Sequence, residues 1–332
     1  MKHFYLPWQK KSVSGAVSEG TRGPVQRPGP SIGPLKRQER QLAYAFIAPA
    51  LILLSVMYLV PTLVTFVVSF EPAKMDPNIV QVFDLANLRQ ISLDNYLRSF
   101  RDPVWLKAIG NTAFYVAVVL MLGMFFSMVT ALVLNQSFKG RGFLRALILI
   151  PWAVPPVVNG TTWGLVYHAD IGTMNGILRE LGLIHQDLLW LGHPRLALFC
   201  VTTASIWRLI PLMTLLILAG LQTIPRDIYE SAEVDGANAV QRFLYITLPN
   251  IRMVLFTLVT LLIVWVTKAF DEIWALTEGG PSYGTTVMNL WIYRQSFDFL
   301  RFGYGSALAY ILVFLTSIVV VANFFIRRKV EA

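Results

Sequence analysis

Ile224 to Pro249 reads IPRDIYESAEVDGANAVQRFLYITLP and is the longest polar interruption in the second half of the chain. It is nevertheless patterned as structure. Pro225 suits a first helical position, where its missing N–H leaves nothing unpaired, and Asp227, Glu230 and Glu233 bring negative charge to the early turns; this predicts a short helix from Arg226 to Val234. Asp235-Gly236 then reads as a turn, because glycine accepts the left-handed conformation that stops one helix and redirects the chain, with Asp235 the natural cap between the two helices. A second helical pattern runs from Ala237 to Tyr245, with Val240, Phe243 and Leu244 apolar, and Pro249 is expected to end it. The expected product is a compact helix-turn-helix between two membrane-length segments, a rigid knob offered to another protein. Its acid content argues against an amphipathic hairpin resting on lipid headgroups.

Working outward, composition sets the broad class. Of 332 residues, 55% are hydrophobic and 14% are charged, and the mean hydropathy is +0.56. Soluble domains carry roughly a quarter charged residues, so an all-α polytopic membrane protein is expected. The single cysteine, Cys200, excludes an internal disulfide. The net charge of +9 does not imply nucleic acid, because the basic residues flank hydrophobic segments and read as topology signals. The four histidines share no metal-ligand spacing, and no catalytic or metal residues are expected.

Residues 1–41 hold Pro24, Pro28, Pro30 and Pro34 among glycines and eight basic residues against Glu19 and Glu39, and they read as a disordered basic tail. Six segments then recur with few or no charges: Leu42 to Phe70, Ala108 to Phe138, Ala146 to Ala169, Leu196 to Leu221, Met253 to Leu276 and Phe302 to Ile326. Each is long enough to cross roughly 30 Å of hydrocarbon at about 1.5 Å per helical residue. Residues 42–326 thus form one six-span domain, with 327–332 a second short tail. Placing the N-terminus inside puts 17 Lys and Arg on the cytoplasmic side and nine outside, which supports both termini and the 224–249 knob being cytoplasmic.

Glu230-Ser231-Ala232, Asp235-Gly236-Ala237, Phe243 and Ile246-Thr247-Leu248-Pro249 together resemble the EAA loop of binding-protein-dependent ABC importer permeases. The resemblance is closest to the sugar-permease branch typified by the maltose permease F subunit; Ser231 stands where that family usually has alanine. Lower-specificity similarities extend it over roughly Leu42 to Ile326. They are Leu93-Asp94-Asn95-Tyr96, Asn111-Thr112, the basic turn Lys139 to Phe143 with Pro151 and Pro155-Pro156, Leu276 to Pro281, and Phe302 to Ala307. The resemblance implies the type I ABC importer permease fold in the bacterial cytoplasmic membrane. It implies a second homologous permease, an ABC ATPase dimer and an extracytoplasmic substrate-binding protein as partners, with a sugar as the solute. Glu230, Ser231, Ala232, Asp235, Gly236, Ala237, Leu248 and Pro249 would couple to the ATPase, and Gly279, Gly280 and Pro281 would lie in a loop contacting the binding protein.

The chain has no G-x-x-x-x-G-K-[ST] phosphate cradle, so it is not expected to be an enzyme; it needs no cofactor of its own, and ATP and Mg belong to the partner. The resemblance implies a substrate pathway in the spans flanking the knob, and there Trp207, Arg208, Trp265, Thr267, Lys268 and Asp271 supply the aromatic faces and hydrogen-bonding groups that sugars use. Lys268 lies four residues from Glu272 and three from Asp271, so a local ion pair on one helix face explains those charges equally well, and Arg208 either pairs with a neighbouring subunit or snorkels. Gly160 and Gly164 form a G-x-x-x-G that lets another helix approach, a pair also common by chance. Two other solute readings stand beside the sugar importer: the same class carrying glycerol phosphate or a glycerophosphodiester, and an ion-coupled secondary transporter. The latter predicts midplane acids or unwound helices matched between two halves, and neither is visible.

Overall fold

The computed structural model describes residues 34–71 and 91–331. Most of the N-terminal tail and much of the first external segment therefore lie outside the described residues. All regular structure among those described is helical. Two compact units divide after Leu59. The first carries α1 (Pro34–Leu54) and a π-helical turn, Ser55–Leu59. Helix thus begins at Pro34, ahead of the Leu42 boundary expected for the tail. A proline loses nothing at a helix start, and the Leu, Lys, Gln, Glu and Arg that follow it are all good helix formers.

The second unit contains α2 (Val60–Val68), α3 (Asp94–Ser99), α4 (Pro103–Asn135), α5 (Arg141–Ile148), α6 (Ile150–Ala153), α7 (Pro156–Val166) and α8 (Thr173–Glu180). It continues with α9 (Pro194–Leu221), α10 (Arg226–Val234), α11 (Ala239–Arg242), α12 (Leu248–Thr267), α13 (Asp271–Thr277), α14 (Met288–Tyr293) and α15 (Phe302–Glu331). Among the described residues, five helices are long and apolar enough to cross a membrane: Gln38–Val68, Pro103–Asn135, Pro194–Leu221, Ala239–Thr267 and Phe302–Lys329. A sixth crossing is the pair Arg141–Ala153 and Pro156–Val166, bent by 92°. The bend falls where the following prolines force Val154 into an extended conformation (φ −72°, ψ 126°) and Pro156 withholds an N–H.

That the bent pair crosses follows from its neighbours. α4 and α9 pack side by side in parallel, with the Tyr115 hydroxyl donating to Ser205 Oγ (2.7 Å) and, further along both helices, Gly123 against Met213. Two parallel neighbours need a return crossing between them, and α5 to α7 supply it. α12 runs antiparallel to α9, since Gly220 near the end of α9 meets Val254 near the start of α12. α15 runs antiparallel to α12, with Asn323 donating to Phe256 O (3.3 Å) and Thr260 Oγ1 (2.7 Å). The C-terminal end of α15 therefore lies at the same end of this unit as α10 and α11.

α9 is the central helix, 61% buried over its membrane window, because α4, α12 and α13 all pack on it. The fifth span differs from expectation. Instead of one crossing from Met253 to Leu276, α12 stops at Thr267, Phe270 adopts φ −145°, ψ −62°, and α13 starts afresh at Asp271. The partner of α13 is α7. A Cβ on Gly160 would stand 2.7 Å from Glu272 O and 2.8 Å from Ala275 Cβ, and one on Gly164 would touch Leu276 Cδ1 at 3.5 Å. The small-residue pair at 160 and 164 is what lets the two backbones meet.

Candidate functional site

The helix pair at 224–249 combines local fit with anchoring. α10 spans Arg226–Val234 as its sequence predicts, with Pro225 one position earlier than expected, as the cap. At its end Gly236 N–H donates to Glu233 O (3.1 Å) and Ala237 N–H to Ala232 O (2.9 Å), with Gly236 at φ +80°. This paired closure is the Schellman arrangement, which satisfies the last carbonyls of the helix only if the residue at 236 is left-handed. Asp235 lies between the two helices as the C-cap of α10, but it is not the N-cap of the second helix. That role falls to Asn238, whose side chain accepts from Gln241 N (2.9 Å) while Gln241 Oε1 accepts from Asn238 N (2.8 Å), a reciprocal capping box.

Pro249 does not end the second helix either. α11 passes through a π-helical turn, Phe243–Thr247, straight into α12, where Pro249 occupies the first turn. The wider turn resets the hydrogen-bond ladder, so the proline lies where no N–H is required. The pair is fastened to the membrane helix by Tyr229 Oη against Thr247 Oγ1 (2.9 Å) and by an ion pair of Glu233 with Arg242. Tyr229 and Ile246 also pack on the central core. What remains uncovered is a face with Val234 89% and Tyr245 76% exposed, beside exposed Val240 and Leu244. Glu230, Ser231, Asp235, Gly236 and Pro249 are exposed around it, whereas Ala232, Ala237 and Leu248 are half-buried.

Between the spans lies a polar cluster that the sequence did not assemble. Glu272, 3% exposed, faces Arg208 across α13 and α9, with Nε to Oε2 at 3.8 Å. Ser205 Oγ donates to Glu272 Oε2 (2.7 Å), Tyr115 Oη donates to Ser205, and Asn159 Nδ2 donates to Glu272 Oε1 and to Ala204 O (3.2 Å). One carboxylate thus ties α4, α7, α9 and α13 together. The expected pairing of Lys268 with Glu272 or Asp271 is replaced, because the break at 268–270 removes Lys268 and Glu272 from a common helix face. Lys268 and Asp271 are exposed, and Arg208 finds its partner within its own chain rather than in a neighbour.

The remaining pathway residues divide by exposure. Trp207 and Trp265 each present part of an indole face, at 41% and 48% exposure, and Trp207 packs edge-on against Trp163 at 6.0 Å. Thr267 is buried, with its hydroxyl donating to Ile263 O (2.6 Å). Tyr115 and Asn159 were missed. The available signal was a polar side chain inside an apolar span; the pairing across helices had none.

At the opposite end, Asn111 Nδ2 donates to Tyr283 O (3.1 Å) and Thr286 O (2.9 Å), and Thr112 Oγ1 accepts from Met288 N (2.9 Å). These bonds pin the 279–286 loop to α4. Gly279, at φ +84°, is itself buried: a Cβ there would stand 2.5 Å from Thr286 Oγ1. Gly280 and Pro281 are half-buried, and the exposed tip is Ser282 and Tyr283. The glycines therefore shape the loop, and its tip is what a partner would meet.

Six crossings and a helix pair fastened at one end define a multi-pass helical membrane protein. The chain belongs to the family of binding-protein-dependent transport system inner membrane components, whose model matches residues 123–330. Members of this family are transport subunits, not enzymes. Among similar proteins, the trehalose/maltose transport system permease protein MalF of Thermococcus litoralis is 39% identical over 286 residues, covering 85% of this chain and 91% of the relative. The sulfoquinovosyl glycerol transport system permease protein SmoG of Agrobacterium fabrum is 33% identical, covering 88% of this chain and 92% of the relative. The fold matches a crystal structure of a bacterial ABC transporter involved in the import of the acidic polysaccharide alginate, with a TM-score of 0.76 at 21% identity over 89% of this chain and 98% of the other.

Proposed function

We propose that this chain is one permease subunit of an ATP-driven importer that moves a mono- or oligosaccharide across the bacterial cytoplasmic membrane. A second, homologous permease completes the path, a binding protein delivers the sugar outside, and a separate ATPase dimer hydrolyses Mg-ATP inside. The observation that carries this reading is the 224–249 helix pair. It exposes an acid-rimmed apolar face, is clamped by Tyr229 with Thr247 and Glu233 with Arg242, and runs unbroken into α12. A displacement applied to Val234 or Glu230 is therefore passed to a spanning helix rather than absorbed in a loop. The sugar is supported by the names of the two relatives and by the indole faces of Trp207 and Trp265, which suit the apolar faces of sugar rings.

The test is uptake into vesicles holding the complex purified from the host, with its binding protein outside. Labelled trehalose or maltose should accumulate only with ATP inside, and a protonophore should leave the rate unchanged. Accumulation of glycerol 3-phosphate instead would replace the sugar while keeping the class. Uptake without ATP that collapses with the proton gradient would overturn the class.

A further inference from the structure

Three arginines converge on a pocket of 440 Å³ where α4 and α15 begin. Arg98, Arg101 and Arg301 line it with Trp291, Gln295 and Phe299. Its one lining carboxylate, Asp102, is already engaged: Oδ1 accepts from Val104 N (2.9 Å) and Trp105 N (3.1 Å), and Oδ2 from Trp291 Nε1 (3.0 Å) and Tyr304 Oη (2.8 Å). None of the three arginines forms an ion pair among the described residues. Arg98 lies over the Tyr304 ring at 4.6 Å and Arg301 over Phe299 at 5.7 Å, contacts that hold the guanidinium planes and leave their edge N–H donors free. Gln295 is 2% exposed, and its Oε1 has no hydrogen-bond partner. A buried amide oxygen of this kind calls for a donor.

The position of the pocket narrows its occupant. Pro103 and Phe302 are the first residues of two crossings, so the guanidiniums lie at the depth where hydrocarbon gives way to headgroups. Phe100 and Phe297, 73% and 61% exposed, flank them as interfacial aromatics do. The fitting ligand has anionic oxygens for the arginine forks, a hydroxyl donor for Gln295, and an apolar tail lying along the spans. We infer that this pocket binds the phosphate and hydroxyl groups of an anionic glycerophospholipid headgroup.

The test is native mass spectrometry of the detergent-purified complex supplied with phosphatidylglycerol. The unmodified complex should retain this lipid about tenfold better than the Arg101→Gln/Arg301→Gln variant, the loss expected for two charge-assisted contacts, while phosphatidylcholine retention stays equal in both. Equal phosphatidylglycerol retention in the two complexes would overturn the inference, as would displacement of the lipid by an equal concentration of glycerol 3-phosphate. Should the double variant not be recovered, Gln295→Leu decides. It should abolish a preference for phosphatidylglycerol over phosphatidylmethanol, a phosphodiester of equal charge that lacks the hydroxyl, and an unchanged preference would contradict the inference.

Discussion

Glu272 makes the intramembrane cluster a unit, because its two oxygens receive Ser205 and Asn159 and face Arg208. Removing one member of a buried pair leaves the other charge uncompensated, so Glu272→Ala should destabilise the subunit by about 3–5 kcal/mol, whereas Arg208→Met with Glu272→Met should recover most of that. Thermal unfolding in detergent measures both, and a single variant as stable as the parent would remove the cluster's structural role. This pair was hidden in the sequence for a definite reason. The four-residue spacing of Lys268 and Glu272 pairs them only if one helix contains both, and Phe270 breaks that helix. Two intramembrane charges were legible as anomalies, but their partners depend on how α13 meets α7, and that depends on Gly160.

The helix pair at 224–249 shows which local features are readable at the scale of an element. The extent of α10 and the left-handed Gly236 were legible because both rest on neighbouring residues: an acidic first turn, a stop signal and a residue without a Cβ. The exit was not. Pro249 normally closes a helix, yet here a π-helical turn over Phe243–Thr247 accommodates it, and Thr247 in that turn is held by Tyr229 from α10. Since no atom lies within 4 Å of a Cβ placed on Gly236, strain there is conformational and not steric crowding. Gly236→Val should thus loosen the pair by roughly 1–2 kcal/mol, while Gly236→Asn, which tolerates the left-handed region, should be nearly silent. Limited proteolysis between α10 and α11 reads this, and equal cleavage of the Val and Asn variants would show that the turn is built otherwise.

At the scale of the whole molecule, the six segments were legible from hydrophobic length, and the parallel packing of α4 and α9 is what makes the bent pair a crossing. The exposed helix pair at 224–249 and the C-terminal end of α15 share one end of the second unit, so a single orientation determines both. We propose that this exposed end docks an ATPase through Glu230 and its apolar neighbours. The most direct measurement is a mild-detergent purification of the tagged chain from its host, beside the Glu230→Lys variant, with mass spectrometry of what accompanies each. A second six-span permease is expected with both, and a subunit bearing G-x-x-x-x-G-K-[ST] is expected with the parent chain and strongly depleted from the variant. A parent chain that emerges folded but alone, or a variant that keeps the ATPase in full, would contradict it.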